Sequence, residues 1–275
     1  MTDPALTASL EQRLVNAWPA FEVQTCEGWL LRFASGYSKR ANSATPLVPG
    51  AGLDDALLDH IAAQFFRESI RPTFRLTGME APGTDELLAA RDFAAIEPSL
   101  AMTRAIPDEA EPDPHVLLQP SVTPAWVRET AASYGGSKAN DALLNGIVSR
   151  IRQPAAFAAL DLDGEHVAWG LGVAERGWIG LYDIVVAPDL RGIGLGRRVV
   201  MSLMAWGRGE GATRAYLQVR GQRGGALALR GIGLRSRLPL HAPDHAVTRR
   251  PGRVATNAPP AIRRQAMPSA AVGSA

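Results

Sequence analysis

The segment from Asp183 to Arg198 combines a carboxylate, an apolar strand and a glycine-rich turn ahead of a helix. It reads Asp-Ile-Val-Val-Ala-Pro-Asp-Leu-Arg-Gly-Ile-Gly-Leu-Gly-Arg-Arg. Glycines allow the backbone to turn sharply and leave no side chain in the way of an approaching group. The amides of the turn and of the first helical turn then point to one place, where the helix dipole favours negative charge. The spacing therefore predicts a binding site for a phosphate-like anion.

Two other phosphate-binding motifs do not match this turn. The dinucleotide pattern G-x-G-x-x-G would place its third glycine at position 197, where the chain has Arg197. The nucleoside-triphosphate loop requires a Gly-Lys-Ser/Thr sequence, which does not follow here. A glycine-rich connection that binds no ligand stays open as the alternative.

The turn matches the pattern V-x-P-x-x-R-G-x-G-x-G through Val186, Pro188, Arg191, Gly192, Gly194 and Gly196. This pattern resembles the acyl-CoA pyrophosphate loop of the GNAT N-acetyltransferase superfamily. The resemblance implies acetyl-CoA as co-substrate, with the strand amides of Ile184, Val185 and Val186 along its pantetheine. It assigns the phosphates to the residues that follow, namely Arg191, Gly192, Ile193, Gly194, Leu195, Gly196 and Arg197.

The resemblance also implies direct transfer of an acetyl group to a primary amine of a small molecule, an amino acid or a protein. The amine must be neutral to attack the thioester, so a base or a chain of waters has to take its proton. Asp183 is the first candidate for that base, ahead of Glu175 and Glu165, and a purely structural carboxylate is its alternative role. The five histidines are scattered along the chain, and we expect no metal site.

The surrounding elements have the order that this superfamily requires. Apolar residues at helical spacing predict helices over 126–134, 140–151 and 195–208. Extended runs on either side of Asp163-Gly164 predict a hairpin. Over residues 117–219 this order resembles the first five strands of the GNAT fold. We therefore expect an α/β (α+β) protein with a mixed central sheet flanked by helices.

Composition divides the chain into four parts. Residues 1–106 have a β-α-β-α-β pattern without a phosphate loop, which fits a degenerate second copy of the fold. Residues 107–116 contain three prolines and four acids within 107–114, which predicts a linker. Residues 117–234 form the expected acetyltransferase domain, and residues 235–275 an irregular basic tail.

Length and composition are those of a globular protein. The chain has 275 residues, of which 46% are hydrophobic, enough for a buried core. No apolar run reaches about eighteen residues and no secretory pattern begins the sequence, so we expect no membrane association. The single cysteine, Cys26, fits a reducing compartment, and we expect a cytoplasmic protein. The oligomeric state stays open.

Charge is distributed unevenly. Residues 1–219 contain 19 basic and 26 acidic residues, a net charge of −7, whereas residues 220–275 contain 10 arginines and one acid, a net charge of +9. A basic tail is typical of an arm that binds nucleic acid. Enrichment in Arg, Pro, Ala and Gly is also typical of a GC-rich gene read out of frame. We favour the second interpretation and expect no nucleic-acid partner.

The motif that follows the fifth strand in this superfamily is absent. It runs N-x-x-A-x-x-L-Y-x-x-x-G-F, whereas residues 222–234 read Gln-Arg-Gly-Gly-Ala-Leu-Ala-Leu-Arg-Gly-Ile-Gly-Leu. A reading frame moved forward by one nucleotide near Arg220 permits the missing Asn, Tyr and Gly-Phe at the right spacing. This frameshift hypothesis predicts no packed strand from about residue 235 on, and a sheet left incomplete beyond Leu217. An acyl-CoA-binding protein with little or no catalysis is then the alternative to an active enzyme.

Overall fold

The computed structural model describes residues 4–96, 99–133, 136–220, 235–238 and 246–249. The elements up to residue 105 are, in chain order, α1 (Pro4–Ala17), β1 (Glu22–Cys26), β2 (Trp29–Phe33), β3 (Ala44–Pro46), α2 (Asp55–Arg67), β4 (Thr73–Arg75), α3 (Thr84–Ala90), β5 (Phe93–Ile96) and β6 (Ser99–Ala105). Those that follow are β7 (Val116–Gln119), α4 (Pro124–Ala132), α5 (Lys138–Val148), β8 (Ala155–Leu162), β9 (Glu165–Glu175), β10 (Trp178–Val186), α6 (Leu195–Gly209), β11 (Arg214–Arg220), β12 (Arg235–Leu238) and β13 (Ala246–Arg249).

The helices form where apolar periodicity and capping residues coincide. The Asp54 carboxylate caps α2 by accepting from the amide of Leu57 at 2.8 Å, and Ile61 and Phe65 are buried along one face. Thr123 and Ser137 cap α4 and α5 in the same way. The helix α6 begins instead after a left-handed glycine, Gly194, and no side chain caps it.

The strands form two mixed sheets, which confirms the predicted α/β class. The first sheet has the order β1-β2-β3-β4-β13-β5 and the second the order β12-β6-β11-β10-β9-β8-β7. Each contains one parallel pair, β3 with β4 and β10 with β11. The hairpin predicted at Asp163-Gly164 joins β8 and β9, and both turn residues have positive φ, 54° and 88°.

The two sheets exchange strands. The strand β6 belongs to the first part of the chain, yet it pairs along its whole length with β11 of the second sheet, from Ser99–Arg220 to Ala105–Arg214. In return, β13 lies between β4 and β5 of the first sheet. The boundary between the two sheets along the chain therefore precedes residue 99, ahead of the linker expected at 107–116.

The prediction of no packed strand beyond residue 235 is wrong for the described residues. β12 pairs with β6, β13 pairs with two strands, and the sheet does not end at Leu217 because β6 covers the edge of β11. The prolines that argued against strands lie at positions 239, 243 and 251, outside both segments. Residues 221–234, on which the frameshift hypothesis rests, lie outside the described residues, so that hypothesis stays a prediction.

The second sheet separates two apolar layers. Ile179 and Leu181 of β10 pack with Val199 and Leu203 of α6 on one face. Tyr182 of the same strand packs on the opposite face, in a cluster that includes residues of α1, α4 and α5. The helix α1 thus packs against the second sheet, although it precedes the first. A third cluster, around Trp29, Phe65 and Phe74, fills the space between the first sheet and α2.

The expected linker is packed against α6. Asp113 receives two hydrogen bonds from the Arg198 guanidinium, at 2.6 and 3.0 Å, and its amide donates to the Ser202 hydroxyl at 2.9 Å. Ala110 is fully buried, and its carbonyl accepts from Arg208 at 2.6 Å. The segment between β6 and β7 therefore fixes the helix that follows the glycine turn.

Candidate functional site

A β-bulge interrupts β10 at Asp183. Tyr182 pairs with Leu171 and Val185 with Trp169, so two residues of β10 oppose the single residue Gly170 of β9. Asp183 has a φ of 47°, in the left-handed region that residues with a Cβ rarely adopt. A Cβ on Gly170 would lie 2.7 Å from Ile184 and 2.8 Å from Val199, so the bulge requires glycine there. Bulges of this kind re-aim the side chain that they carry.

The strands β10 and β11 separate immediately before the bulge. Their parallel ladder begins at Trp178–Arg214 and, within the described residues, ends at Leu181–Leu217. Beyond that pair, β10 stays with β9 as far as Val186, and β11 stays with β6 as far as Arg220. The result is a cleft inside a continuous sheet, open at the carboxyl end of β10, with Asp183 at its apex.

The glycine turn follows directly at the mouth of this cleft. Gly192 and Gly194 have φ values of 84° and 93°, and a Cβ built on either would meet no atom within 4 Å. The carbonyl of Gly194 accepts from the amides of Arg197 and Arg198, as expected at a helix start. Within the described part of the chain, no backbone carbonyl accepts from the amides of Gly192 to Gly194. Left-handed glycines, exposed amides and a helix N-terminus together form an anion cradle.

The structure brings the predicted cofactor residues together but divides their roles. Ile184 and Val186 pack toward α6, whereas Val185 faces the Tyr182 layer. The Leu195 side chain is buried in the core, so only its amide is available to a ligand. Gly196 lies against the strand, where a Cβ would be 3.4 Å from Val186.

The arginines of the turn differ in exposure and in hydrogen-bond partners. Arg197 and Arg191 are exposed at the cradle, and the Arg191 Nε donates to the Val186 carbonyl at 3.1 Å, which ties the turn to the strand. Arg198 is occupied by Asp113, and its hydrogen bond holds the pKa of that carboxyl below the ordinary value. Ile193 is 66% exposed at the tip of the turn.

The first part of the chain supplies a wall beside the bulge, which sequence reasoning did not anticipate. Trp18 stacks on Tyr182 with ring centroids 6.4 Å apart, and its indole N–H donates to the Ser38 hydroxyl at 3.0 Å. The Arg40 guanidinium lies 5.8 Å from the centre of the Trp18 ring. The loop between β2 and β3 is thereby held over the Tyr182 face.

Tyr37 of this loop lies within electrostatic range of Asp183. It is half-buried against the cluster that contains Tyr182 and Val185. Burial, together with the negative charges of Asp183 and Asp141, raises the pKa of Tyr37 to about 12. Its hydroxyl is therefore protonated at neutral pH and available as a hydrogen-bond donor. No local pattern marks Tyr37, because it stands in a loop that only tertiary packing brings to β10.

The other carboxylates considered for proton transfer lie elsewhere. Glu175 pairs with Trp178 at the opposite end of β10, and its carboxylate is bound by Asn16 and Arg176. Glu165 is exposed at the β8–β9 turn. One carboxylate oxygen of Asp183 is shielded from solvent, in the bulge itself. Of the three candidates, Asp183 alone lies at the cleft.

The described residues contain neither a candidate metal site nor a candidate membrane span. Among them, no group of three or more His, Cys, Asp and Glu is arranged to hold a metal ion. None of the helices in the same residues combines the length and apolarity needed to span a bilayer.

Comparison with known proteins identifies relatives over most of the chain. The family model "Probable histone acetyltransferase Rv0428c C-terminal" matches residues 7–238, across both sheets. The uncharacterized N-acetyltransferase YobR of Bacillus subtilis (strain 168) is 26% identical over 228 residues, covering 81% of this chain and 91% of that protein. The probable histone acetyltransferase Rv0428c of Mycobacterium tuberculosis (strain ATCC 25618 / H37Rv) is 29% identical over 238 residues, covering 80% of this chain and 69% of that protein.

Solved structures share the fold at low sequence identity. A GCN5-related N-acetyltransferase from Kribbella flavida superposes with a TM-score of 0.57 at 16% identity, covering 89% of this chain and 93% of that one. A functionally unknown conserved protein from Staphylococcus epidermidis ATCC 12228 superposes with a TM-score of 0.58 at 10% identity, covering 86% of this chain and 94% of that one. With the family match spanning both sheets, this chain belongs to the Rv0428c C-terminal family of the GNAT N-acetyltransferase superfamily.

Proposed function

We propose that the protein is an acetyl-CoA-dependent N-acetyltransferase that acts on a primary amine. The observation that carries the proposal is the continuity of three features: the cleft between β10 and β11, the bulge at its apex and the anion cradle at its mouth. A long ligand with a phosphate-rich end and a reactive far end matches a site of this shape. Family membership supports the same reaction class.

The residues of the turn fit the phosphate end of acetyl-CoA. The open space at Gly192 and Gly194 leaves their amides accessible, and Arg191 and Arg197 add positive charge at the surface. Ile184 to Val186 would bind the pantetheine arm along the edge of β10 that β11 leaves. When bound, acetyl-CoA supplies an activated acyl thioester. Backbone amides of β10 at the cleft would polarise its carbonyl.

Asp183 is positioned to take a proton from the acceptor. An amine that enters over the Tyr37 face meets Asp183 at the apex of the cleft. The carboxylate attracts the ammonium form and, directly or through water, accepts the proton that must leave before attack. Tyr37 donates a hydrogen bond to a group on the acceptor and orients it. Both side chains act on the acceptor and not on the phosphate end.

The acceptor belongs to one of two groups of amines. The name of the mycobacterial relative, a probable histone acetyltransferase, supports a lysine side chain of a protein. A small free amine is the other group. In either case the reaction needs acetyl-CoA, and we propose that the protein acts in the cytoplasm, a reducing compartment.

The test is a thiol-release assay with acetyl-CoA and two acceptor pools, small amines and lysine-containing peptides. We expect release above the acceptor-free rate with at least one pool, and loss of that release in Asp183→Asn. Calorimetry with CoA runs in parallel. Tight CoA binding without release in any pool would support the alternative, an acyl-CoA-binding protein without catalysis, and absence of CoA binding would exclude both.

A further inference from the structure

A second cavity lies at the seam between the two sheets. Its volume is about 230 Å³, and none of the residues that line it belongs to β10, the glycine turn or α6. The C-terminal end of α1, Val23 of β1 and Arg32 of β2 form one side. Arg150, Arg152 and Gln153, in the connection from α5 to β8, form the other. Among the described residues, the lining therefore contains three arginines and no acid.

Arg32 brings a buried positive charge to this cavity. Its side chain is almost fully buried, at 1% residue exposure. One terminal nitrogen donates to the Arg40 carbonyl at 2.7 Å, and the other donates to the Trp18 carbonyl. The third guanidinium nitrogen, Nε, has no hydrogen-bond partner among the described residues. Burial and the nearby charge of Arg75 lower the pKa of Arg32 to about 9, so the guanidinium is still charged at neutral pH.

The arginines on the other side have no carboxylate partner either. Within the described residues, neither Arg150 nor Arg152 forms an ion pair; Arg150 donates to the Gly146 carbonyl at 2.6 Å and lies over the Phe21 ring. Glu175, which accepts a hydrogen bond from the lining residue Asn16 at 3.0 Å, is also paired with Arg176 at 3.1 Å. Glu11, which pairs with Arg75, acts electrostatically on Arg32 from outside the lining, so among the described residues the lining itself keeps three positive charges.

Gln153 contributes a hydrogen-bond acceptor to the cavity. Its Oε1 is buried and accepts no hydrogen bond from a described residue. A ligand that accepts from the guanidinium groups and donates one hydrogen bond to the amide oxygen of Gln153 would satisfy both sides of the cavity. A sulfate or an ionised carboxylate has no proton to donate. A phosphate group with one remaining O–H has both properties near neutral pH.

We propose that the seam cavity binds a protonated phosphate group, either inorganic phosphate or a phosphomonoester. Planar guanidinium groups bind phosphate oxygens in a paired geometry, and a charge-assisted hydrogen bond is stronger than a neutral one. A bound phosphate would also neutralise Arg32, which holds the carbonyls of Trp18 and Arg40 beside the Tyr182 face. The site is separate from the anion cradle at Gly192 to Gly194.

The test measures phosphate binding with the cradle disabled. All proteins carry Gly194→Asp, and inorganic phosphate is titrated at pH 6.5 by calorimetry and ³¹P NMR. The double variant Arg150→Gln/Arg152→Gln should raise the dissociation constant at least about tenfold, because charge-assisted hydrogen bonds are lost. A control variant, Arg67→Gln/Arg128→Gln, removes the same charge from surface positions outside the cavity and should bind as the parent does.

Further ligands test the proton donor and the source of the phosphate. Sulfate should bind more weakly than phosphate to the parent, and Gln153→Glu should weaken phosphate binding by adding negative charge. Methyl phosphate binding more tightly than phosphate assigns the cavity to a phosphomonoester, and the reverse order assigns it to free phosphate. Unchanged phosphate affinity in Arg150→Gln/Arg152→Gln, or sulfate binding as tight as phosphate, would overturn the proposal.

Discussion

The phenol oxygens of Tyr182 and Tyr216 lie 2.6 Å apart and share a buried hydrogen bond. Tyr182 belongs to β10 and Tyr216 to β11, and the pair lies at the point where the two strands separate. Their rings meet edge to face at a centroid distance of 6.2 Å, and burial raises the pKa of both hydroxyls. The bond joins the strands up to the cleft and leaves them free to diverge beyond it.

Replacing both of these tyrosines should lower the free energy of unfolding by less than the two single replacements together. Tyr216→Phe leaves the Tyr182 hydroxyl buried without its partner, a loss of about 1–3 kcal/mol in the free energy of unfolding. Tyr182→Phe should cause a similar loss. The double variant should lose less stability than the two single variants added together. Urea denaturation of the four proteins measures the coupling, expected above about 0.5 kcal/mol. Strictly additive losses would mean that the hydrogen bond contributes nothing.

Gly194→Asp should weaken CoA binding through charge and conformation together. The residue has a φ of 93°, and an Asp side chain would put a negative charge in the cradle. We expect the dissociation constant for CoA to rise at least about tenfold, or about 1.4 kcal/mol. The matched control is Gly164→Asp, at a φ of 88° in the β8–β9 turn with equal open space. Equal CoA affinity in the two variants would remove the turn from the binding site.

Asp183→Asn should reduce the rate while leaving CoA binding nearly unchanged. Asn tolerates the left-handed φ of 47° at this position, so the bulge should persist. The loss of rate should be largest at low pH, because the acceptor amine is then protonated and needs the base most. Asp189→Asn, in the turn, is the control carboxylate. A pH–rate profile that Asp183→Asn leaves unaltered would exclude Asp183 from proton transfer.

Tyr37→Phe should act on the acceptor alone. The ring keeps its packing against the Tyr182 cluster, whereas the hydroxyl donor is lost. We expect the KM for the acceptor to rise by up to about tenfold, the value of one hydrogen bond, with the dissociation constant for CoA unchanged. Tyr37→Ala should raise the KM further. If both variants keep the acceptor KM of the parent, the loop between β2 and β3 is no part of the acceptor site.

Asp113→Asn should destabilise the protein at neutral pH but not in acid. The Arg198 hydrogen bond lowers the pKa of Asp113, so this carboxylate stabilises the folded state above its ordinary pKa and ceases to do so as pH falls through the lowered value. Because the pair is partly exposed, the expected cost at pH 7 is only about 1 kcal/mol. Urea unfolding at pH 7 and at a series of pH values that ends below the lowered pKa measures the difference, with Glu129→Gln as an exposed control. A cost that persists below the lowered pKa would point to packing and not to charge.

The conformation of the glycine turn followed from the sequence because it is local. The order of strand, turn and helix depends on alternation, glycine placement and helical spacing, which are all contained in residues 178–209. The α/β class and the superfamily followed in the same way. The helix bounds came within a few residues, since caps such as Asp54 and apolar stripes are sequence features.

The strand partners depended on contacts that no local pattern encodes. The pattern at 99–105 predicts at most that a strand is favoured, and no strand was expected at 246–249. The choice of sheet follows from which edge is free to pair. The tail strands were missed because prolines nearby dominated the composition, although neither segment contains one.

The candidate site likewise combines a part set by local sequence with a part set by long-range contacts. The sequence alone determined the glycine turn, where each residue acts through its own backbone conformation. Only the tertiary structure decided that Tyr37 lies near Asp183 and that Trp18 and Arg40 lie beside Tyr182, because these residues approach β10 across more than a hundred positions of chain. Long-range packing of α1 and the β2–β3 loop on the second sheet produces that approach, and side-chain burial is the force that maintains it.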